Sequence, residues 1–340
     1  MSKFSVRILE PSEQSIWDNF IDQADGGTIF HKYAWLKAAE KQSNTKCFPL
    51  VCEKDGEGIV SVFPVFLKNK GFLRVLLSPP NGCAIPEMGP VFGLNTNKQN
   101  KIESDQYNAL LGYKTYIKQT FNPHFEYYLT NLYDVRPYTW LGYSTKPLYT
   151  YKLNLLEDTD KIYTSFDPSI RNRIKKTEKR GNISIRKGKP EQLDVLLSSV
   201  QNRYSVKGRE FKVGDMYLKN LYQSFNNRSM SLNSLYFGTS AVSHYITLRD
   251  KDHVRFWLGG VKDTKVPDGI NEYIHWHNIQ DAKKQGCQYY ERIGANTKSL
   301  CENKSKYGLS PHVLFKIQYA SFLGKVFFSF FNLLRKNKGL

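Results

Sequence analysis

The stretch VRFWLGGVKDTKVPDGINEYIHWHNIQDAKKQGCQYYERIG, Val254 to Gly294, decides the fold. It opens on Val254 to Val261, rich in β-branched and aromatic residues, which suits a pleated strand. Lys262 to Gly269 follows as a loop. Ile270 to Gln285 reads as a helix, with Asp268 expected as its cap and Gly286 as the residue past its end. Cys287 to Ile293 is the next strand.

Upstream, the same half holds helices at Thr159 to Phe166 and Asp167 to Arg180, the latter stopped by Gly181, and a strand at Ile183 to Arg186. Helices at Pro190 to Tyr204 and Asp215 to Phe225 precede strands at Ser231 to Phe237 and Ala241 to Leu248, and a last strand is expected at Val313 to Tyr319. The first half repeats the plan without repeating the sequence. Strands are expected at Phe4 to Ile8, Phe48 to Glu53, Gly58 to Leu67, Phe125 to Leu129 and Lys146 to Leu153. Helices begin at Pro11 and near Thr28 to Trp35, and another spans Ser104 to Phe121, after a Pro- and Gly-rich stretch from Leu73 to Gly93 that reads as a strand plus an ordered loop. Antiparallel strands with helices between them argue an α/β (α+β) fold. The expected domains are residues 1–157 and 158–320, each a mixed, mostly antiparallel sheet flanked by helices, followed by an apolar-basic tail, residues 321–340.

The 340 residues carry 49 Lys and Arg against 31 Asp and Glu, a net charge of +18 that favours phosphate-bearing partners. The five cysteines form no CxxC pair, so neither a zinc site nor a disulfide framework is expected, and the chain fits a reducing cytosol. No apolar leader opens the sequence and no apolar run is long enough to span a bilayer. His275 and His277 stand two apart on a helix and cannot hold one metal ion together. No nucleophile elbow or phosphate-binding P-loop pattern occurs, which removes the hydrolase and kinase readings.

Three stretches resemble the Fem-type (FemAB-like) aminoacyltransferases and their relatives with a BioF2-like acyltransferase domain, in the GNAT superfamily. They are Arg171-Asn-Arg-Ile-Lys-Lys-Thr-Glu-Lys-Arg-Gly181, the Gly259-Gly260 loop with the helix of Trp276 and Gly286, and Glu291-Arg-Ile-Gly294 with Lys304-Ser-Lys-Tyr-Gly308. Thr28 to His31 with Trp35, and Gly89-Pro90, are similar to weaker patterns of the family. The resemblance implies two tandem GNAT-like domains, with the second carrying acyl transfer. Two departures stand out: Asn303 where the family has Phe, and Glu291 where many relatives have Asp. Val261 to Gly269 also lacks the glycine-rich loop with which an acyl-CoA enzyme holds a diphosphate.

Amide formation from an activated ester requires an approaching amine, a proton acceptor and a charge to meet the oxyanion. Lys304 is the expected oxyanion partner, with a surface lysine on a helix as the alternative; Tyr307 shapes the same pocket, and Glu291, a lone carboxylate at a strand end, is a candidate to take a proton or orient the acceptor. Arg173, Lys176 and Arg180 share one helical face within a stretch, Arg171 to Lys189, that holds nine Lys and Arg and one acid, Glu178. They are candidate phosphate contacts, with a solvated helical face the alternative. Tyr204, Trp257, Tyr273 and Trp276 are candidate substrate contacts, with core packing the alternative for each. The expected function is an N-acyltransferase acting on an amino group of a cell-envelope precursor: peptide, glycan or lipid-linked. The resemblance implies an aminoacyl-tRNA donor and no tightly bound cofactor or metal. Acyl-CoA acting on an amino sugar or lipid amine is the enzymatic alternative, and a non-catalytic tRNA or anionic-surface binder is the other. A cytoplasmic location follows. The tail, with Lys325, Arg335, Lys336 and Lys338 beside its phenylalanines, either packs on the domain or rests on the inner face of a membrane.

Overall fold

A computed structural model describes residues 3–226, 228–260 and 268–326. The chain forms two compact units, Met1–Pro147 with Leu314–Leu340, and Leu148–Val313. Unit 1 contains β1 (Phe4–Ile8), α1 (Gln14–Gln23), α2 (Tyr33–Ser43), β2 (Lys46–Lys54), β3 (Gly58–Lys70), β4 (Leu73–Ser78), β5 (Val91–Phe92), α3 (Gln99–Thr120), β6 (Phe125–Thr130) and α4 (Arg136–Trp140). β7 (Ser144–Asn154) enters unit 2, which continues with α5 (Thr159–Thr164), α6 (Pro168–Lys179), β8 (Ile183–Lys187), α7 (Gln192–Ser205), α8 (Asp215–Phe225), β9 (Met230–Phe237) and β10 (Ser240–Asp250). β11 (His253–Gly259), α9 (Ile270–Lys284), β12 (Tyr289–Arg292) and α10 (Lys298–Lys304) complete it, and β13 (Ser310–Ala320) returns the chain to unit 1.

In unit 1 the strands lie in the order β1-β2-β3-β4-β6-β13, with β5 on β3. In unit 2 the order is β7-β12-β11-β10-β9-β8. Among the described pairings each unit has one parallel pair, β4 with β6 and β11 with β12. Each is bridged by the helix that parallel neighbours require, α3 and α9. The mixed, mostly antiparallel α/β architecture expected from the sequence is present in both units.

The unit boundaries differ from the expected 157/158 and 320/321. Strands rather than polar loops carry the chain across. β7 spans the first change of unit, and Phe315 to Ala320 of β13 pair with Thr130 to Phe125 of β6. Two short helices, α4 and α10, have no counterpart in the sequence reading because neither is long enough to show a periodic apolar face. Much of the Lys262 to Gly269 loop lies outside the described residues, as does the tail beyond Val326.

Local sequence explains the helices that matter most. Asp167 caps α6 by accepting from the Ser169 amide at 2.8 Å, and Pro168 fits the first turn, where no N–H is needed. Ile170, Ile174 and Thr177 face inward at helical spacing, while Arg173, Lys176 and Arg180 face solvent. α9 buries residues almost all round, among them Ile270, Ile274, Trp276, Ile279 and Ala282. Its N-cap is Gly269 at φ 98°, not Asp268, since the chain turns into the helix through the left-handed region that favours glycine. In unit 2, Ile170, Ile174, Phe166, Val254, Trp276, Ile279 and Tyr290 share one core. In unit 1, α3 covers the sheet through Ala109, Leu110, Tyr113 and Ile117.

Candidate functional site

β11 and β12 run side by side, with Arg255 opposite Glu291 and Phe256 opposite Arg292. β12 ends there, whereas β11 continues to Gly259. The candidate site is built on this strand end and on the segments that close over it.

Glu291 is buried and fully engaged. Its Oε2 accepts from Arg255 Nε at 2.9 Å and its Oε1 from Thr150 Oγ1 at 2.7 Å. Arg255 Nη1 also pairs with Asp250 Oδ1 at 2.5 Å. A buried charge persists only when paired and hydrogen-bonded, and this triad meets both conditions. Glu291 therefore joins strands rather than presenting a vacant oxygen to a substrate.

Lys304 reaches back from the end of α10 to the turn after β12. Its Nζ donates to the carbonyls of Arg292 (3.1 Å), Ile293 (2.5 Å) and Gly294. Three donors meet three acceptors, so the ammonium is a clamp on residues 292–294. Burial, and after it the Arg292 guanidinium, pull the Lys304 pKa down to about 7, while the three carbonyl acceptors work the other way and favour the charged form. Tyr307 is buried beside Phe166 and His275, and the Arg292 guanidinium lies 4.4 Å from its ring centroid. Burial pushes its hydroxyl up to about 12, so it remains a neutral donor at physiological pH. His275 is fully enclosed, with Nδ1 2.7 Å from the Tyr290 hydroxyl. Burial, then Arg292 and Lys304, hold it well below the ordinary imidazole value.

Two arginines here were not singled out from the sequence. Arg292 donates from Nη2 to Asn303 Oδ1 at 3.1 Å, while its buried Nη1 has no hydrogen-bond partner. The signal was present: Asn303, the departure from the resembled family, is the acceptor that orients this guanidinium. Arg203 of α7 donates to the carbonyls of Gly259 (3.0 Å) and Gly260 (3.5 Å) at the end of β11, and burial lowers its pKa.

The start of α9 is closed by α6. A Cβ on Gly269 would stand 2.5 Å from Thr177 Oγ1 and 2.7 Å from the Arg173 carbonyl oxygen. In the first turn of α9, buried Glu272 pairs with Arg173 Nη1 at 2.9 Å, and Glu272 is the first cause raising the Arg173 pKa. A carboxylate thus already meets the positive end of the helix.

The other expected contacts divide. Lys176 and Arg180 stay on the exposed face of α6, where Arg180 Nη1 also donates to the Asp268 carbonyl at 3.1 Å. Tyr204 packs on Phe211, with centroids 5.0 Å apart, away from the strand end in its contacts. Tyr273 is half-buried near His277, and burial raises its hydroxyl. Trp257 is buried on β11. Trp276 lies in the core between Tyr163 (4.9 Å) and Phe166 (5.6 Å), the packing alternative of the sequence reading. Among the described residues no group of three or more His, Cys, Asp or Glu side chains is placed to hold a metal ion.

Unit 1 treats its equivalent strand end differently. After β4 the chain folds back, so that the Met88 amide donates to the Leu129 carbonyl at 2.8 Å and the Gly89 amide to Ser78 Oγ at 3.1 Å. The polar groups at the ends of β4 and β6 are met by the chain's own loop. Buried Glu126 accepts from the hydroxyls of Tyr128 and Tyr143 (2.8 Å), and burial raises its pKa.

Residues 165–298 match the acetyltransferase (GNAT) domain family. No curated protein sequence matches the chain. Among solved structures, FemX superposes with a TM-score of 0.70 at 12% identity, covering 93% of this chain and 97% of its own. L-PGS from Bacillus licheniformis gives 0.56 at 12%, covering 92% of each chain. A tandem GNAT protein from the clavulanic acid biosynthesis pathway gives 0.51 at 8%, covering 94% and 98%. At these identities the likeness is one of fold, and it extends over both units.

Proposed function

We propose, starting from a chain whose residues 165–298 form a GNAT-type acyltransferase domain, that this protein transfers an aminoacyl group from aminoacyl-tRNA to an amine of a cell-envelope precursor. The observation that carries the donor is the start of α9. An acyl-CoA enzyme needs open, positive backbone there to receive a diphosphate. Here α6 packs against Gly269, and the Glu272 carboxylate occupies the first turn. Acyl-CoA transfer is the reading this geometry disfavours. The exposed face of α6, with Arg173, Lys176 and Arg180, suits a polyanion instead.

In the reaction the acceptor amine attacks the ester carbonyl. A C–N bond forms, an oxyanion appears, and the C–O bond to the terminal ribose breaks; the amine loses a proton and the ribose hydroxyl gains one. Arg292 Nη1, buried and without a partner, is the donor assigned to the oxyanion. Lys304 fixes the 292–294 turn that carries Arg292, Tyr307 packs under its guanidinium, and Glu291 anchors β12 through Arg255.

The test is filter binding of charged tRNA across a salt series, beside acetyl-CoA titration by thermal shift. The reading expects tRNA affinity that falls steeply with salt and no CoA response. A CoA-induced shift with salt-insensitive tRNA binding overturns the donor.

A further inference from the structure

One end of the unit 1 sheet collects features that the acyl-transfer reading leaves unused. The end of β3, the start of β4, the start of β6 and the end of β13 all lie there: Lys70 pairs with Leu73, Val75 with Phe125, and Ala320 with Phe125. His124 ties the segments together. Its Nδ1 accepts from the Arg74 amide at 3.1 Å, its carbonyl accepts from the Ser321 amide at 3.0 Å, and its ring lies 6.4 Å from that of Phe72. The turn at 322–326 packs Gly324 against the His124 carbonyl.

Four apolar side chains project from this end into solvent. Phe72, at the tip of the β3–β4 hairpin, is 74% exposed; Phe322, Leu323 and Val326 are 79%, 65% and 54% exposed. Such exposure of large apolar groups marks a contact surface when they cluster. Their surroundings have one sign of charge. Residues 67–74, 118–125 and 319–326 contain Lys68, Lys70, Arg74, Lys118 and Lys325, and no Asp or Glu. In sequence the chain continues from Val326 with four phenylalanines and then Arg335, Lys336 and Lys338.

We infer that this end of unit 1 is a docking face for an anionic lipid bilayer, with Phe72, Phe322 and Leu323 entering the headgroup boundary and the cations of these segments, Lys70, Arg74 and Lys325 among them, meeting lipid phosphates. Charge complementarity and apolar projection together select this occupant. A nucleic acid would use the cations but gives aliphatic Leu323 and Val326 nothing to enter, whereas a bilayer uses both. The inference stands apart from the donor and the acceptor proposed above, and it makes the hairpin tip as important as the C-terminal segment.

The experiment is co-sedimentation of the full chain with vesicles of phosphatidylcholine alone and with about one third phosphatidylglycerol, at low and high salt. Binding is expected only to the anionic vesicles and to weaken with salt. Phe72→Ala, at an exposed tip, should leave the melting temperature unchanged and weaken binding about tenfold, the loss expected for one buried phenylalanine. Lys70→Glu should weaken it about fivefold or more. Excess tRNA is added as a competitor. Binding that Phe72→Ala leaves intact, that tRNA abolishes, or that is equal for both vesicles overturns the inference. None of these readouts depends on acyl transfer.

Discussion

Arg255 to Met is the substitution that probes the strand-end architecture most deeply. Arg255 is nearly enclosed and bonds Glu291 at 2.9 Å and Asp250 at 2.5 Å. Removing it leaves the Glu291 carboxylate buried with only Thr150 Oγ1 as partner, and breaking a buried pair in this way costs about 3–5 kcal/mol. At roughly 2–4 °C per kcal/mol for a unit of this size, melting should fall by about 6–20 °C. Urea unfolding followed by tryptophan fluorescence gives the free energy. Glu291 to Met should cost a similar amount. The double variant Arg255→Met/Glu291→Met should be more stable than the sum of the singles predicts, by about 2 kcal/mol or more, because no charge is then stranded between these two positions. Additive losses would refute the view that Glu291 serves through Arg255. So would a Glu291→Gln protein of unchanged stability that has lost turnover.

His275 should make the fold acid-sensitive. Its folded pKa lies well below 6.5, so as pH falls below about 6.5 the unfolded chain takes up a proton that the folded one does not. Stability should therefore fall with pH by up to about 1.4 kcal/mol per unit over this window, and His275→Gln should flatten the slope in denaturant titrations at stepped pH. Gly269→Ala meets both a φ of 98° and the Arg173 carbonyl, and should cost about 2–4 kcal/mol in urea unfolding, with Gly286→Ala, in open space, costing less. Arg292→Met should reduce turnover by about 100-fold or more with little change in donor affinity, read by single-turnover transfer beside filter binding.

Most of the fold was legible because its elements announce themselves. The α6 sequence carries Asp167, Pro168 and Gly181 at the positions that start and stop a helix, and Gly286 ends α9 as expected. The unit boundaries were not legible, since no local signal says that β13 pairs with β6 from nearly two hundred residues earlier. The site was half legible. Lys304, Tyr307 and Glu291 do gather at one strand end, but which bonds they make depends on partners distant in sequence, such as Thr150 and Arg255. Arg292 is not legible in the sequence because a single arginine in a short strand has no pattern; only its pairing with Asn303 gives it meaning.

The donor is decided by single-turnover transfer by the purified full chain, with labelled aminoacyl-tRNA and labelled acetyl-CoA offered separately to an extract of envelope precursors. Label should move from tRNA into an amide stable to mild base, a transfer lost on Arg292→Met, with none moving from acetyl-CoA. Transfer from acetyl-CoA alone, or from neither donor while tRNA still binds, would contradict the proposed transfer.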